Sequence, residues 1–79
     1  MAMVYKLVGF DRDTERLATA DEIPADHVEQ AKRIAGITDR PEIVADWPLT
    51  TDQAAKIADI IHKRINLRKV DYFLEPYAA

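Results

Sequence analysis

The chain has no cysteine in its 79 residues, only two glycines, Gly9 and Gly36, and only two histidines, His27 and His62. Without cysteine there is no disulfide framework, no thiolate nucleophile and no cysteine-based zinc set, and two isolated glycines do not make a phosphate-cradling loop. No apolar run approaches the roughly 20 residues that a membrane span needs. The opening residues, Met1 to Lys6, also lack a basic segment followed by a long apolar stretch. A strong charge of one sign is missing as well: the formal net charge is −3. Divided at Arg40/Pro41, the chain carries six basic against eight acidic residues, then five against six. Neither half is basic, which argues against a dedicated nucleic-acid binder. These absences point to a cytoplasmic protein with no membrane segment, cofactor or metal, and to binding rather than catalysis.

What is present is the composition of one small globular domain spanning residues 1–79, 48% hydrophobic and 32% charged. A core of this size supplies only about 3–5 kcal/mol, so association with itself or with a partner is the remaining way to gain stability.

Met3 to Phe10 is nearly continuously apolar and reads as a strand buried on much of both faces. The polar stretch from Asp11 to Glu15 reads as a turn, and Leu17 to Ile23 as the second strand of a hairpin. A first helix is predicted from about Asp26 to Ala35. Asp26 and Glu29 form an acidic relative of the capping box, Gly36 stands at the left-handed stop, and Val28, Ala31, Ile34 and Ala35 share one arc. Asp26, Glu29, Gln30, Lys32 and Arg33 fill the opposite arc, with Glu29 and Arg33 as an i,i+4 pair.

The second helix is better marked. Thr50 and Gln53 form a capping box, Leu49 starts a hydrophobic staple, and Ala54, Ile57, Ala58, Ile61 and Ile65 make the apolar stripe. Asp52 with Lys56 and Asp59 with Lys63 pair acid before base on the exposed face. Between the helices Ile37 to Leu49 is a long connection, which in so small a domain is either functional or holds a short element of its own. Val70 to Glu75 alternates as a strand, ended by Pro76. The expected fold is therefore α+β: a two-layer sandwich in the order ββααβ, with a three-stranded, mainly antiparallel sheet and two helices on one face. The last strand is expected beside the first, the most apolar one; the alternative places it beside the second.

Asp11, Asp13, Glu15 and Glu22 have the spacing of a calcium loop, but Arg16 stands where the sharp turn needs glycine and the flanks read as strands, so a solvated turn is expected. His27 projects between Ala31 and Ile34 and has no second ligand in helical register; His62 sits near the end of the second helix, where a cation suits the dipole. Lys63, Arg64, Arg68 and Lys69 form the only basic run without an acid, a candidate anion contact, although Lys63 and Arg64 better suit the helix C-terminus and Arg68 and Lys69 the entry to a strand. Among the aromatics, Trp47, Phe10 and Phe73 are the candidate protein-binding residues. Phe73 has the opposite parity to Val70, Tyr72 and Leu74, which turns it to the sheet face that no helix covers.

Gly9-Phe10-Asp11-x-x-Thr14, Pro48-Leu49-Thr50-x-x-Gln53-Ala54 and Asp71-Tyr72-Phe73-Leu74-Glu75-x-Tyr77 together resemble a family of short bacterial proteins of unknown function. The resemblance covers nearly the whole chain, and its motifs are structural. Some similar small α+β proteins serve as immunity partners of secreted toxins, an analogy of size and fold class only. The expectation is a non-enzymatic protein-binding module, immunity-like, that uses the uncovered sheet face and the Asp39 to Trp47 connection, and that self-associates as a homodimer through the open sheet face or a strand edge. The alternative is a small regulator that contacts nucleic acid through Lys63, Arg64, Arg68 and Lys69.

Overall fold

The computed structural model describes residues 3–37 and 46–78. Strands β1 (Met3–Asp11) and β2 (Leu17–Ile23) form the expected hairpin, and a 3₁₀ turn (Ala25–His27) leads into helix α1 (Val28–Ile34). The two-residue strand β3 (Trp47–Pro48), helix α2 (Thr51–Ile60) and strand β4 (Val70–Ala78) complete the order ββαβαβ. The α+β class, the antiparallel sheet and the place of the last strand beside the first agree with the sequence. The sheet has four strands rather than three, in the order β2-β1-β4-β3, because Trp47–Pro48 adds to the outer side of β4. The rest of the interhelical connection, 38–45 with Pro41 and the Ile43-Val44-Ala45 run, lies outside the described residues.

Register fixes the faces. Leu7 lies opposite Leu74, Gly9 opposite Tyr72 and Tyr5 opposite Pro76 between β1 and β4, with Ile23 of β2 opposite Tyr5. Tyr5, Leu7, Ile23, Val70, Tyr72 and Leu74 join Ala31 and Ala35 of the α1 end and Ala54, Ile57 and Ala58 of α2 in one buried core. Both helices therefore cover the same face. Gly9 is required by that packing: a Cβ there would stand 2.6 Å from Val70 Cγ1 and 2.8 Å from both Thr19 Oγ1 and Tyr72 Cε1.

Helix ends follow local chemistry. Thr50 Oγ1 accepts from the Gln53 N–H at 3.1 Å while Gln53 Oε1 accepts from the Thr50 N–H at 2.9 Å, the full capping box. Its acidic relative at Asp26 makes no such bond: α1 begins after the 3₁₀ turn, and no side chain caps it. Gly36, at φ 82°, closes α1 with Ile37 N–H bonding to Lys32 O and Gly36 N–H to Arg33 O. Helix α2 ends the same way at His62, φ 57°, with Lys63 N–H bonding to Ala58 O; Ile65 therefore leaves the helix but still packs on the core.

Three further expectations change. Strand β4 runs through Pro76 rather than stopping there. Arg12 N–H bonds toward β4 at Lys69 and Asp11 N–H toward β2 at Arg16, so odd residues of β1 turn their backbone groups to β2. Tyr5 is odd, so the Tyr5–Pro76 pair exchanges no hydrogen bond and proline removes none. Lys32 is buried rather than solvated, its Nζ 5.5 Å from the Tyr5 ring centroid. At about 100° per residue it lies about 40° beyond Val28, at the margin of the apolar arc, from where its long stem folds over the Tyr5 ring. The exposed pairs also shift: Asp52–Lys56 forms at 3.2 Å, whereas Glu29 meets Lys32 at 3.8 Å instead of Arg33, and Lys63 reaches Asp21 at 3.9 Å instead of Asp59.

Candidate functional site

The opposite parity of β1 and β4 supplies the face that neither described helix covers. In register across it stand Lys6 opposite Glu75, Val8 opposite Phe73 and Phe10 opposite Asp71, with Glu22 and Ala20 of β2 beside Lys6 and Val8. Phe10 and Phe73 meet edge to face, ring centroids 5.7 Å apart and planes at 79°. Both are half-buried, while Val8 between them is fully buried, so the exposed patch is built by the rings and by Leu17, 60% exposed at the same end.

Beside the ring pair lies a shallow cavity of about 240 Å³ lined by Phe10, Asp11, Arg12, Glu15, Asp71 and Phe73. Arg12 is its strut: Nε donates to Asp71 Oδ1 at 2.7 Å, Nη1 to Arg68 O at 3.1 Å and Nη2 to Leu67 O at 3.0 Å. Asp11 Oδ1 accepts from the N–H groups of Asp13 (2.9 Å) and Thr14 (3.0 Å). Those backbone bonds, Thr14 first and then Asp13, hold its carboxyl below the usual range, with Lys69 adding a smaller attraction. The expected solvated turn is therefore a self-capped one. Among the described residues no group of three or more His, Cys, Asp or Glu side chains is placed to hold a metal ion.

At the other end of the face Glu75 is buried; its Oε1 accepts from the Tyr77 hydroxyl at 2.8 Å, and its Oε2 has no hydrogen-bond partner among the described residues. Glu75 thereby raises the Tyr77 pKa, first through this hydrogen bond, with burial and the charges of Glu75 and Asp46 adding to it. Lys6 Nζ lies 4.5 Å from the Tyr77 ring centroid, a cation over an aromatic face.

Of the aromatic candidates, the fold brings Phe10 and Phe73 together and keeps Trp47 apart. Trp47 pairs with Leu74, shares the helix-covered face, and donates from Nε1 to Ala35 O at 3.0 Å. In the basic run, Lys63, Arg64, Arg68 and Lys69 are all exposed, on a loop whose carbonyls Arg12 grips and whose Asn66 N–H donates to Tyr72 Oη at 3.0 Å. Arg68 and Lys69 stand in the turn before β4 rather than in the strand itself. His27 is half-buried at the junction of the 3₁₀ turn and α1. Sequence reasoning missed Arg12 and Glu15 as part of the surface, because only the β1–β4 register sets the hairpin turn beside Asp71.

Fold and surface define a small α+β sandwich with one helix-packed sheet face and one bearing an aromatic pair among charges. No helix among the described residues is long and apolar enough to cross a membrane. The chain belongs to the family described as a domain of unknown function, DUF7683, whose model matches residues 4–75. No curated protein and no solved structure matches it. The motif residues have visible work in the fold: Gly9 admits the Tyr72 ring, Asp11 caps Thr14, Asp71 holds Arg12, and Thr50 with Gln53 starts α2.

Proposed function

We propose that the chain is a non-enzymatic protein-binding module that docks another protein on the sheet face around Phe10 and Phe73 that neither described helix covers. The carrying observation is the aromatic pair itself: two large rings left half-exposed on a domain whose core is small, where further burial of either ring is worth about 1.5–3 kcal/mol at most. Charge selects the occupant. Asp11, Glu15, Glu22, Asp71 and Glu75 stand on or beside this face against Lys6 and Arg12, the latter already paired with Asp71, so the net charge is acidic, and a partner with a basic surface is more complementary to it than a second copy stacked face to face. An immunity-like role against a toxin is one form of this reading.

Affinity capture from the native cell with the wild-type chain beside Phe73→Ser and Phe10→Ser tests it. The expected result is one stoichiometric protein held by the wild type and lost by both variants, with circular dichroism unchanged. A partner held equally by all three would place the binding surface elsewhere.

The alternative, nucleic-acid contact through Lys63, Arg64, Arg68 and Lys69, is favoured by the exposure of all four side chains on one pinned loop. Retardation of nucleic acid in low salt, weakening steeply as salt rises, is its signature; no shift at low salt removes it.

A further inference from the structure

The two edges of the sheet are guarded unequally. Strand β3 is two residues long, and Leu49 N–H bonds to Tyr72 O, so its odd positions face β4 and Pro48 faces outward without a donor. Strand β2, the other edge, has seven residues, Leu-Ala-Thr-Ala-Asp-Glu-Ile, with no proline and no lysine, and Leu17 to Ala20 are all exposed.

We propose that the free edge of β2 pairs antiparallel with the same edge of a second copy, about a two-fold axis at Ala20, joining two four-stranded sheets into one. This interface uses the edge of β2, which borders the docking face at Ala20 and Glu22, and does not rest on that face's function.

The register follows from the ladder. Odd residues of β1 turn their backbone groups to β2, and Gly9 lies opposite Thr19 and Leu7 opposite Asp21, so Thr19 and Asp21 bond inward. Ala20 and Glu22 consequently turn their N–H and C=O groups outward, where no described strand pairs with them. A two-fold axis at Ala20 sets Ala20 opposite its own copy in a mutually bonded pair, Asp21 opposite the second copy's Thr19 and Glu22 opposite the second copy's Ala18. Both carboxylates then face small neutral residues, and Thr19 can donate its hydroxyl to Asp21.

Neighbouring registers are blocked. An axis at Asp21 or Glu22 puts a carboxylate against its own copy, and an axis nearer Leu17 centres the pairing on the bulge, where the pairing steps from Gly9–Thr19 to Phe10–Leu17 and leaves Ala18 as the extra residue; the axis at Ala20 meets that bulge only at the two ends of the ladder. An axis perpendicular to the sheet keeps both helix layers on one side, so nothing already packed has to move.

Sedimentation of the purified chain reads this directly. A mass twice that of the 9.0 kDa chain is expected at high concentration, and a single-chain mass up to about 1 mM overturns the proposal. Ala20→Pro removes an outward N–H while leaving the ladder to β1 intact, so a folded single chain is expected. Ala20→Lys, which keeps the backbone donor but opposes two cations, is expected to do the same. Ala20→Cys should cross-link to itself under mild oxidant, while Asp52→Cys on the exposed side of α2 should not. A doubled mass that survives both Ala20→Pro and Ala20→Lys would move the interface off β2 and refute the assignment.

Discussion

Tyr72 and Phe73 are neighbours in one strand, both aromatic, and their surroundings differ almost completely. Tyr72 is 5% exposed, lies on the Gly9 backbone, and accepts a hydrogen bond from Asn66 through its hydroxyl. Phe73 stands on the other side of the sheet, half-buried against Phe10 at the lip of a cavity. Parity along a strand, rather than residue type, separates scaffold from surface here. One face of β1 and β4 holds the domain together, and the other is left to carry charge and exposed rings.

Deletion on the packed face is the severest way to probe this difference. Leu74 is fully buried, and Leu74→Ala should cost about 2–5 kcal/mol, comparable with all that so small a core supplies, leaving the chain largely unfolded by circular dichroism. Gly9→Ala adds only one methyl to the same face, and overpacking against Val70, Thr19 and Tyr72 should cost about 1–3 kcal/mol in urea unfolding. A neutral Gly9→Ala would mean that the Tyr72 ring can move away.

How far the sequence foretold these faces depends on how local each signal is. The Thr50–Gln53 box, the Gly36 stop and the bounds of β2 are written in adjacent residues, and they appear as read. Strand β3 could not be read, because two residues have no periodicity and Trp47–Pro48 becomes a strand only through pairing with Leu74 and Phe73. Pro76 looked like a stop because its tolerance depends on which strand its missing N–H would have faced. Lys32 was assigned to solvent by its charge and its place at the margin of the apolar arc, and only the packing of α1 on β1 brings it over Tyr5. The aromatic pair was half legible: parity turned Phe73 outward, but its meeting with Phe10, and the cavity with Arg12 and Asp71, required the long-range register of β1 with β4.

Smaller effects sharpen the contrast between local and long-range control. Thr50→Ala should lose about 1 kcal/mol with its cap, independent of either sheet face. Glu15 and His62 hold φ values of 60° and 57°, a region that favours glycine, so Glu15→Gly and His62→Gly should each gain roughly 0.5–1 kcal/mol in thermal unfolding. Asp11 has its pKa lowered in the fold by the Thr14 and Asp13 amides, so its contribution is present above the ordinary carboxylate value and is lost as pH falls through the folded one. The melting difference between the wild type and Asp11→Ala should therefore be largest near neutral pH and shrink in acid; a difference that grows in acid would reverse the assignment.

The most direct measurement is urea unfolding of Tyr72→Ala beside Phe73→Ala. Removing the buried ring should cost about 3–5 kcal/mol. Removing its outward neighbour should cost less, about 1–3 kcal/mol, the worth of the edge-to-face contact plus half-burial of one ring. Equal losses would show that Phe73 belongs to the core, and the separation of a structural face from the proposed docking face would fall.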